Sequence, residues 1–383
     1  MPRIYLDHNA TTPVSPDVAR VFAEAVAREY GNASSVHQEG QTARRALDGA
    51  RGQVAARIGA HAREMVFTSG GTESVNLAVL GYVRALGRRN AHVVTSAIEH
   101  PAVLNAARQL EREGRRVSFV APGRDGVVDP ASVEAAMTPE TVLVSVAHAN
   151  NETGAIQPVA DIAVIARARG IAMHSDGVQA AGKIPVDVAA LGVDLYSISG
   201  HKFHAPKGSG ALWVRSGVKL EPLQWGGRHE HGRRPGTENV PGAVAMGAAA
   251  AAIADADLAP LRDRLERAIL AAIPGVAVNG AGAPRLPNTS NLTFDGIEGE
   301  ALVIALDLRG FAISSGSACS SGAVEPSHVL LAMGRTPREA RSSIRVSLGA
   351  GNTREEVDAF VESLSAAVGH LRRLSPDYVP AHA

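Results

Sequence analysis

The stretch from Glu64 to Pro122 decides the fold: EMVFTS (64–69), TESVNLAVLGYVRAL (72–86), HVVTSAIE (92–99), PAVLNAARQLEREG (101–114) and RVSFVAP (116–122). Short runs rich in Val, Phe and Thr alternate with longer runs of helical periodicity, and that alternation predicts parallel βαβ units. The rhythm continues through TVLVSVAHA (141–149), a Pro-started helix from Pro158 to Arg169, IAMHSDG (171–177), DLYSISGHK (194–202) and GALWVRS (210–216). About seven strands with intervening helices imply one wide, mostly parallel α/β sheet. Strands such as VLVSV are apolar on both faces, as burial between two helical layers requires.

Working outward, a Gly-, His- and Arg-rich loop follows Trp225, and the apolar, Ala- and Gly-rich run Val240–Ala254 reads as a buried helix, too short to span a bilayer. A charged amphipathic pattern begins near Asp255, and the remainder mixes strands (NLTFDG, SIRVSLG) with helices (GEALVIALDLRG, REEVDAFVESLSAAVGHLRRL). The expected organisation is therefore a large unit over 15–255 and a smaller α+β unit made of 1–14 and 256–383. At 383 residues the chain also exceeds what a single core usually supports.

Composition excludes several function classes. With 45% hydrophobic and 20% charged residues a packed core is expected, not disorder. Lys plus Arg equals Asp plus Glu at 38 each, so neither nucleic acid nor an anionic membrane is an expected partner. MPRIYLDHNATTP at the N-terminus lacks the apolar core of a signal peptide, which points to the cytoplasm. The single cysteine, Cys319, forbids an internal disulfide and is either an inert buried thiol or a deliberate one.

In parallel sheets ligands bind beyond the carboxyl ends of the strands. Ser69-Gly70-Gly71-Thr72-Glu73-Ser74 leaves one strand and opens a helix, a place where free N–H groups favour a phosphate, although alone it reads as an ordinary helix cap. It matches neither GxGxxG nor GxxxxGK[ST], which disfavours dinucleotides and triphosphates. His100 follows the next strand, Asn150-Asn151-Glu152-Thr153-Gly154 another, Asp176 with Gln179 a third, and Ser199-Gly200-His201-Lys202 a fourth. Each alone could be a turn or surface polarity. Together they suit pyridoxal phosphate, which needs a lysine for its aldehyde, an aspartate for its ring nitrogen on a different strand end, and a phosphate cradle.

The segments YLDHNATTP, GNASSVHQEG, FTSGGTESVNLAVLG, SAIEHPAVL, HANNETGAIQP, HSDGVQAAGKIPVDV, SGHKFHAPKGSGALWVR, GRRPGTENV, SGSACSSGAVEPSHVL and SIRVSLG resemble those of the cysteine desulfurases. The resemblance runs from about Ile4 past residue 370. It is closest to the NifS- and IscS-like branch that supplies sulfur for iron-sulfur clusters, within the class V aminotransferase group of fold-type I pyridoxal phosphate enzymes. It implies Lys202 as the Schiff-base lysine, Asp176 on the pyridine nitrogen, Gln179 on the ring hydroxyl and His100 stacked on the ring. Gly71, Thr72, Ser199 and His201 would hold the phosphate, with Thr237 reaching across a homodimer to the partner's cofactor. Asn151 and Arg345 would grip the carboxylate of L-cysteine. The implied reaction leaves L-alanine and places the sulfur on Cys319 as a persulfide, for delivery to an acceptor such as an iron-sulfur scaffold.

The surroundings of Cys319 agree: Ser314 to Ala323 reads SSGSACSSGA, ten small residues without an apolar anchor, which suits an exposed loop better than a core. The attacking species is a thiolate, so a cationic neighbour such as His100 would be expected to lower its pKa. Arg228-His229-Glu230-His231 invites a metal reading, but lacks HExxH spacing and reads as a solvated loop or dimer contact. No metal is expected. The competing readings are another pyridoxal phosphate reaction, such as selenocysteine lyase or an aminotransferase, and a non-catalytic partner-binding member.

Overall fold

The computed structural model describes residues 3–253, 257–315 and 325–375. A short strand β1 (Ile4–Tyr5) precedes the seven strands foreseen above: β2 (Met65–Thr68), β3 (His92–Ser96), β4 (Arg116–Val120), β5 (Thr141–Ser145), β6 (Ala172–Asp176), β7 (Leu195–Ser199) and β8 (Gly210–Val214). They form one sheet in the order β2-β8-β7-β6-β5-β3-β4, parallel except for β8, which runs antiparallel to both neighbours. The strand order reverses between β3 and β5, which makes that junction the switch point where such sheets bind ligands.

Two-sided burial is visible residue by residue. Val93 and Leu143 join Val103 and Leu110 in one apolar cluster, while their neighbours Val94 and Val144 join Leu47, Ile162 and Met173 in another. A period-2 strand that is apolar at every position puts alternate side chains into two helical layers, as observed. The Ala-rich run forms a buried helix, Val240–Ala252, packed on Gln38–Arg57.

A second sheet has the order β12-β13-β10-β9, from β9 (Val276–Val278), β10 (Thr289–Phe294), β12 (Ser314–Ser315) and β13 (Ser343–Ser347), while β11 (Phe311–Ala312) pairs in parallel with β1. Helices Ala259–Ala272 and Arg354–Leu374 cover it, the latter opened by a capping box of Thr353 and Glu356. Leu265, Leu292, Phe294, Ile344, Phe360 and Leu364 make its core, and Leu6 from the N-terminus is buried among them. Val329, Leu330 and Met333, which follow the Cys319 segment, pack instead with the large sheet. The boundary foreseen at Asp255 lies outside the described residues.

Among the described residues no helix is long and apolar enough to cross a membrane. The described residues hold no group of three or more His, Cys, Asp or Glu suited to a metal ion.

Candidate active site

The expected residues stand beyond the carboxyl ends of β3, β5, β6 and β7, and Asn9 joins Lys202, Gln179 and Asn151 among them. Lys202, in the short 3-10 turn after β7, donates from Nζ to the carbonyl oxygens of Asn9 (2.6 Å) and Ala10 (2.8 Å). Gln179 donates from Nε2 to the same Asn9 carbonyl (3.0 Å). The Asn9 side chain accepts from Lys183 Nζ (2.6 Å) and donates to Thr289 Oγ1 (2.9 Å) and the Asn151 carbonyl (3.2 Å). Its backbone N–H donates to Ser347 Oγ (2.9 Å), which ties the segment to the end of β13.

Burial and neighbouring charge set the titration of these groups. Burial pushes Lys202 down to about 8, helped by the Arg345 charge and opposed by Asp176 and Asp7. About a tenth of Lys202 is thus neutral amine at pH 7, far more than for an ordinary lysine, and the neutral form is the nucleophile toward an aldehyde. Asp176, at the end of β6, is pushed up to about 6 by burial, against the opposing effects of the Val178 N–H and Lys202. Its Oδ1 accepts from Val178 N (3.0 Å). A buried carboxylate with so little compensation is poised for a cationic partner.

Ser199, at the end of β7, has a buried hydroxyl without a hydrogen-bond partner among the described residues, beside Gly70 and Gly71. A Cβ on Gly71 would lie 2.8 Å from Val178 Cγ2 and 3.4 Å from Ser199 Cβ, so glycine leaves this corner open. Thr72 is exposed at the start of the helix after β2, and His201 lies on the other side of the turn, its Nδ1 3.2 Å from Thr11 Oγ1. Orphaned buried hydroxyls are rare in folded proteins and mark missing partners. A lysine amine, a buried carboxylate on a different strand end and an unsatisfied hydroxyl in a glycine-lined corner fit pyridoxal phosphate.

His100 caps the helix Pro101–Arg112, its Nδ1 accepting from Ala102 N (3.1 Å), so the ring proton sits on Nε2. Burial, then Lys202 and His328, push its pKa down to about 4. That shift favours the neutral imidazole. His100 lines a cleft of ≈640 Å³, shared with Leu104, Asn151, Glu152, Ser327, His328 and Arg345. Ser315 and Glu325, which flank the segment containing Cys319, line the same cleft. Cys319 itself lies outside the described residues.

Arg345, buried on β13, donates from Nη1 to the Asn151 carbonyl (3.0 Å) and from Nη2 to Asp7 Oδ1 (2.7 Å). Its remaining guanidinium donors suit a carboxylate, which a planar fork grips in a defined orientation. Glu152 accepts from the Ser327 hydroxyl, and burial pushes it up to about 7. Thr237 lines a different cleft, of ≈210 Å³, with Ser69, Gly208, Glu230 and Arg234.

Residues 4–360 match the class-V aminotransferase family. The chain belongs to that family. Among curated class-V relatives, the cysteine desulfurase IscS of Anaeromyxobacter sp. (strain K) is 48% identical over 384 residues, covering 98% of this chain and 95% of its own. A cysteine desulfurase of Nostoc sp. (strain PCC 7120) is 46% identical over 379 residues, covering 97% of this chain and 94% of the relative. The solved class-V structure of a NifS-like protein superposes with a TM-score of 0.90 at 36% identity, over 96% of this chain and all (100%) of that one. Members of the class-V family at this level of likeness depend on pyridoxal phosphate, in agreement with the fit of Lys202, Asp176 and Ser199.

Sequence reasoning gave no role to Asn9, Asp7, Lys183 or Glu152, although all of them stand in segments quoted above. It also misjudged Glu230. That carboxylate is buried, accepts from Arg51 Nη1 (2.6 Å) and Nη2 (2.7 Å) and from Phe67 N (3.0 Å), and ties its loop to β2. Glu230 and His231 both have positive φ (47° and 57°), a conformation uncommon outside glycine that this clamp stabilises.

Proposed function

We propose that this chain is a pyridoxal phosphate-dependent cysteine desulfurase that converts L-cysteine to L-alanine and receives the sulfur on Cys319 as a persulfide. The observation that carries the reading is the convergence of Lys202 and Gln179 on Asn9, with Asp176 close enough to Lys202 for their charges to interact, next to a cleft that presents Arg345, Asn151 and His100. In this reading Lys202 holds the cofactor, Asp176 its ring nitrogen and Gln179 its ring hydroxyl, with Gly71, Thr72, Ser199 and His201 at the phosphate.

When bound, pyridoxal phosphate supplies an electron sink for charge that develops on the substrate carbon. The chain's own residues do the rest. Arg345 and Asn151 orient the substrate carboxylate, which turns an encounter into a positioned reaction. Lys202, titrating near 8 in the protein, takes and returns a proton at Nζ. Neutral His100 packs against the cofactor face and presents Nε2–H to the cleft. Cys319 attacks the substrate sulfur as a thiolate: an S–S bond forms as the Cβ–S bond breaks, and the carbon fragment takes up protons to leave as alanine. A charged neighbour must favour that thiolate, and Arg345 lines the cleft that Ser315 and Glu325, on either side of the Cys319 segment in sequence, also line.

The same reading makes the protein a homodimer in which Thr237 serves the partner's phosphate site, and a source of sulfur for iron-sulfur cluster assembly in the cytoplasm, where reducing conditions keep Cys319 free. It takes 15–255 as the cofactor-binding unit and 1–14 with 256–383 as the unit that carries Cys319. Cys319→Ala tests the assignment: it should keep the visible absorption of the bound cofactor and lose sulfide release from L-cysteine with reductant. Full desulfuration by that variant would remove Cys319 from the mechanism.

A further inference from the structure

Lys183 stands at the centre of this network and forms no salt bridge among the described residues. It is half-buried, lining a cleft with His8, Lys202 and His204, and its Nζ donates to Asn9 Oδ1 (2.6 Å) and to Gln179 Oε1. Burial, then the charges of Lys202 and Arg345, push its pKa well below the ordinary lysine range. A buried amine is costly to maintain and is kept where its hydrogen bonds matter.

Its partners define what it does. Gln179 Nε2 and Lys202 Nζ donate to one and the same oxygen, the Asn9 carbonyl, at 3.0 and 2.6 Å. The amide nitrogen of Gln179 is therefore the neighbour of the lysine amine, and its orientation is fixed, because a flipped amide would set its N–H groups against Lys183 Nζ and its oxygen against the Asn9 carbonyl. In pyridoxal phosphate the ring hydroxyl is ortho to the aldehyde that Lys202 captures. A donor beside Nζ is thus a donor beside that hydroxyl oxygen. The far end of the amide, Oε1, is held by Lys183 alone among the described residues.

We propose that Lys183 is a positioning residue that, by holding Gln179 Oε1 and Asn9 Oδ1, keeps the Gln179 amide nitrogen aimed at the cofactor's ring oxygen beside Lys202. The inference rests on the cofactor reading above. Without Lys183, the Gln179 carbonyl becomes an unpaired buried acceptor, and the side chain leaves its place to satisfy it.

A double-variant cycle on the full-length protein tests this. Lys183→Met keeps length and apolar volume, and Gln179→Ala removes the group through which Lys183 acts. Two quantities are read: the dissociation constant of pyridoxal phosphate from titration of the apo-protein, and the pH midpoint of the holoenzyme's visible band. Lys183→Met should weaken cofactor binding about tenfold, on the order of one hydrogen bond to a charged group. It should also move the spectral midpoint in the same direction as Gln179→Ala. In the double variant neither quantity should change beyond Gln179→Ala alone by more than about twofold.

Additive effects, or a Lys183→Met protein that matches the parent, overturn the role of Lys183. A Gln179→Ala protein that matches the parent in both quantities overturns instead the placement of Gln179 at the ring oxygen. Running the cycle with Lys183→Gln, which fills the space with a polar group, covers the case in which the methionine variant does not fold. Coupling to Gln179 is again required there, and additivity again overturns the inference.

Discussion

Replacing Asp7 by asparagine isolates how the substrate carboxylate is gripped. Arg345 Nη2 donates to Asp7 Oδ1 at 2.7 Å, with side-chain exposures of 8% for the arginine and 18% for the aspartate. Asp7 thus holds one corner of the guanidinium while the Asn151 carbonyl holds another at 3.0 Å. A hydrogen bond to a charged group in such surroundings contributes about 1.5–3 kcal/mol. Asparagine retains an acceptor oxygen but no charge, so the lower figure applies, about 1.5 kcal/mol, or roughly tenfold in affinity. Because Arg345 binds ground state and transition state alike, the loss falls on KM. Alanine formation against L-cysteine concentration should show KM raised about tenfold and kcat within about twofold, with the cofactor's absorption unchanged. A fall in KM would show that Asp7 competes with the substrate for Nη2 and would refute the positioning argument. A loss of kcat alone would refute it equally.

Capture of pyridoxal phosphate by the apo-protein should depend on pH through Lys202, pushed down to about 8 by burial and by Arg345. The neutral amine attacks, so the rate should rise about tenfold per pH unit up to about pH 8 and flatten above it, whereas an ordinary lysine would keep rising to about pH 10.4. Stopped-flow absorption reads this, and Arg345→Ala should move the flattening to higher pH. Gly177→Ala would place a Cβ 2.0 Å from Tyr196 Cζ. Tyr196 is fully buried with its hydroxyl 2.8 Å from His148 Nδ1, so the backbone beside Asp176 must shift. Overpacking of this kind costs about 1–3 kcal/mol, and both the thermal midpoint and cofactor retention should fall. A variant equal to the parent in both would mean that the ring can move aside.

The fold was legible because the strongest signals are local. Val93–Val94 and Leu143–Val144 declare two-sided burial within four residues of sequence, and His100, Asp176, Gln179 and Lys202 each stand just past such a run. The supporting residues were harder to see because their partners are distant in sequence: Asn9 lies 174 positions from Lys183, and Asp7 lies 338 from Arg345. The types Asn, Asp and Lys in a loop or early turn are ordinary surface choices, and only the tertiary fold turns them into a buried relay. Glu230 failed for the same reason, since a charged loop reads as solvated until Arg51, 179 positions away, is seen to hold it. Which cation would favour the Cys319 thiolate was equally illegible, because the lysine beside His100 is a property of the assembled site.

The central claim is that sulfur leaves cysteine by attack of Cys319, on a cofactor held by Lys202. Incubating the purified holoenzyme with L-cysteine, quantifying alanine and mapping the modified cysteine by peptide mass tests it most directly. A single turnover without reductant should yield alanine and a persulfide on Cys319 in equal amounts. Alanine formed with Cys319 unmodified, or pyruvate and ammonia in place of alanine, would contradict the account.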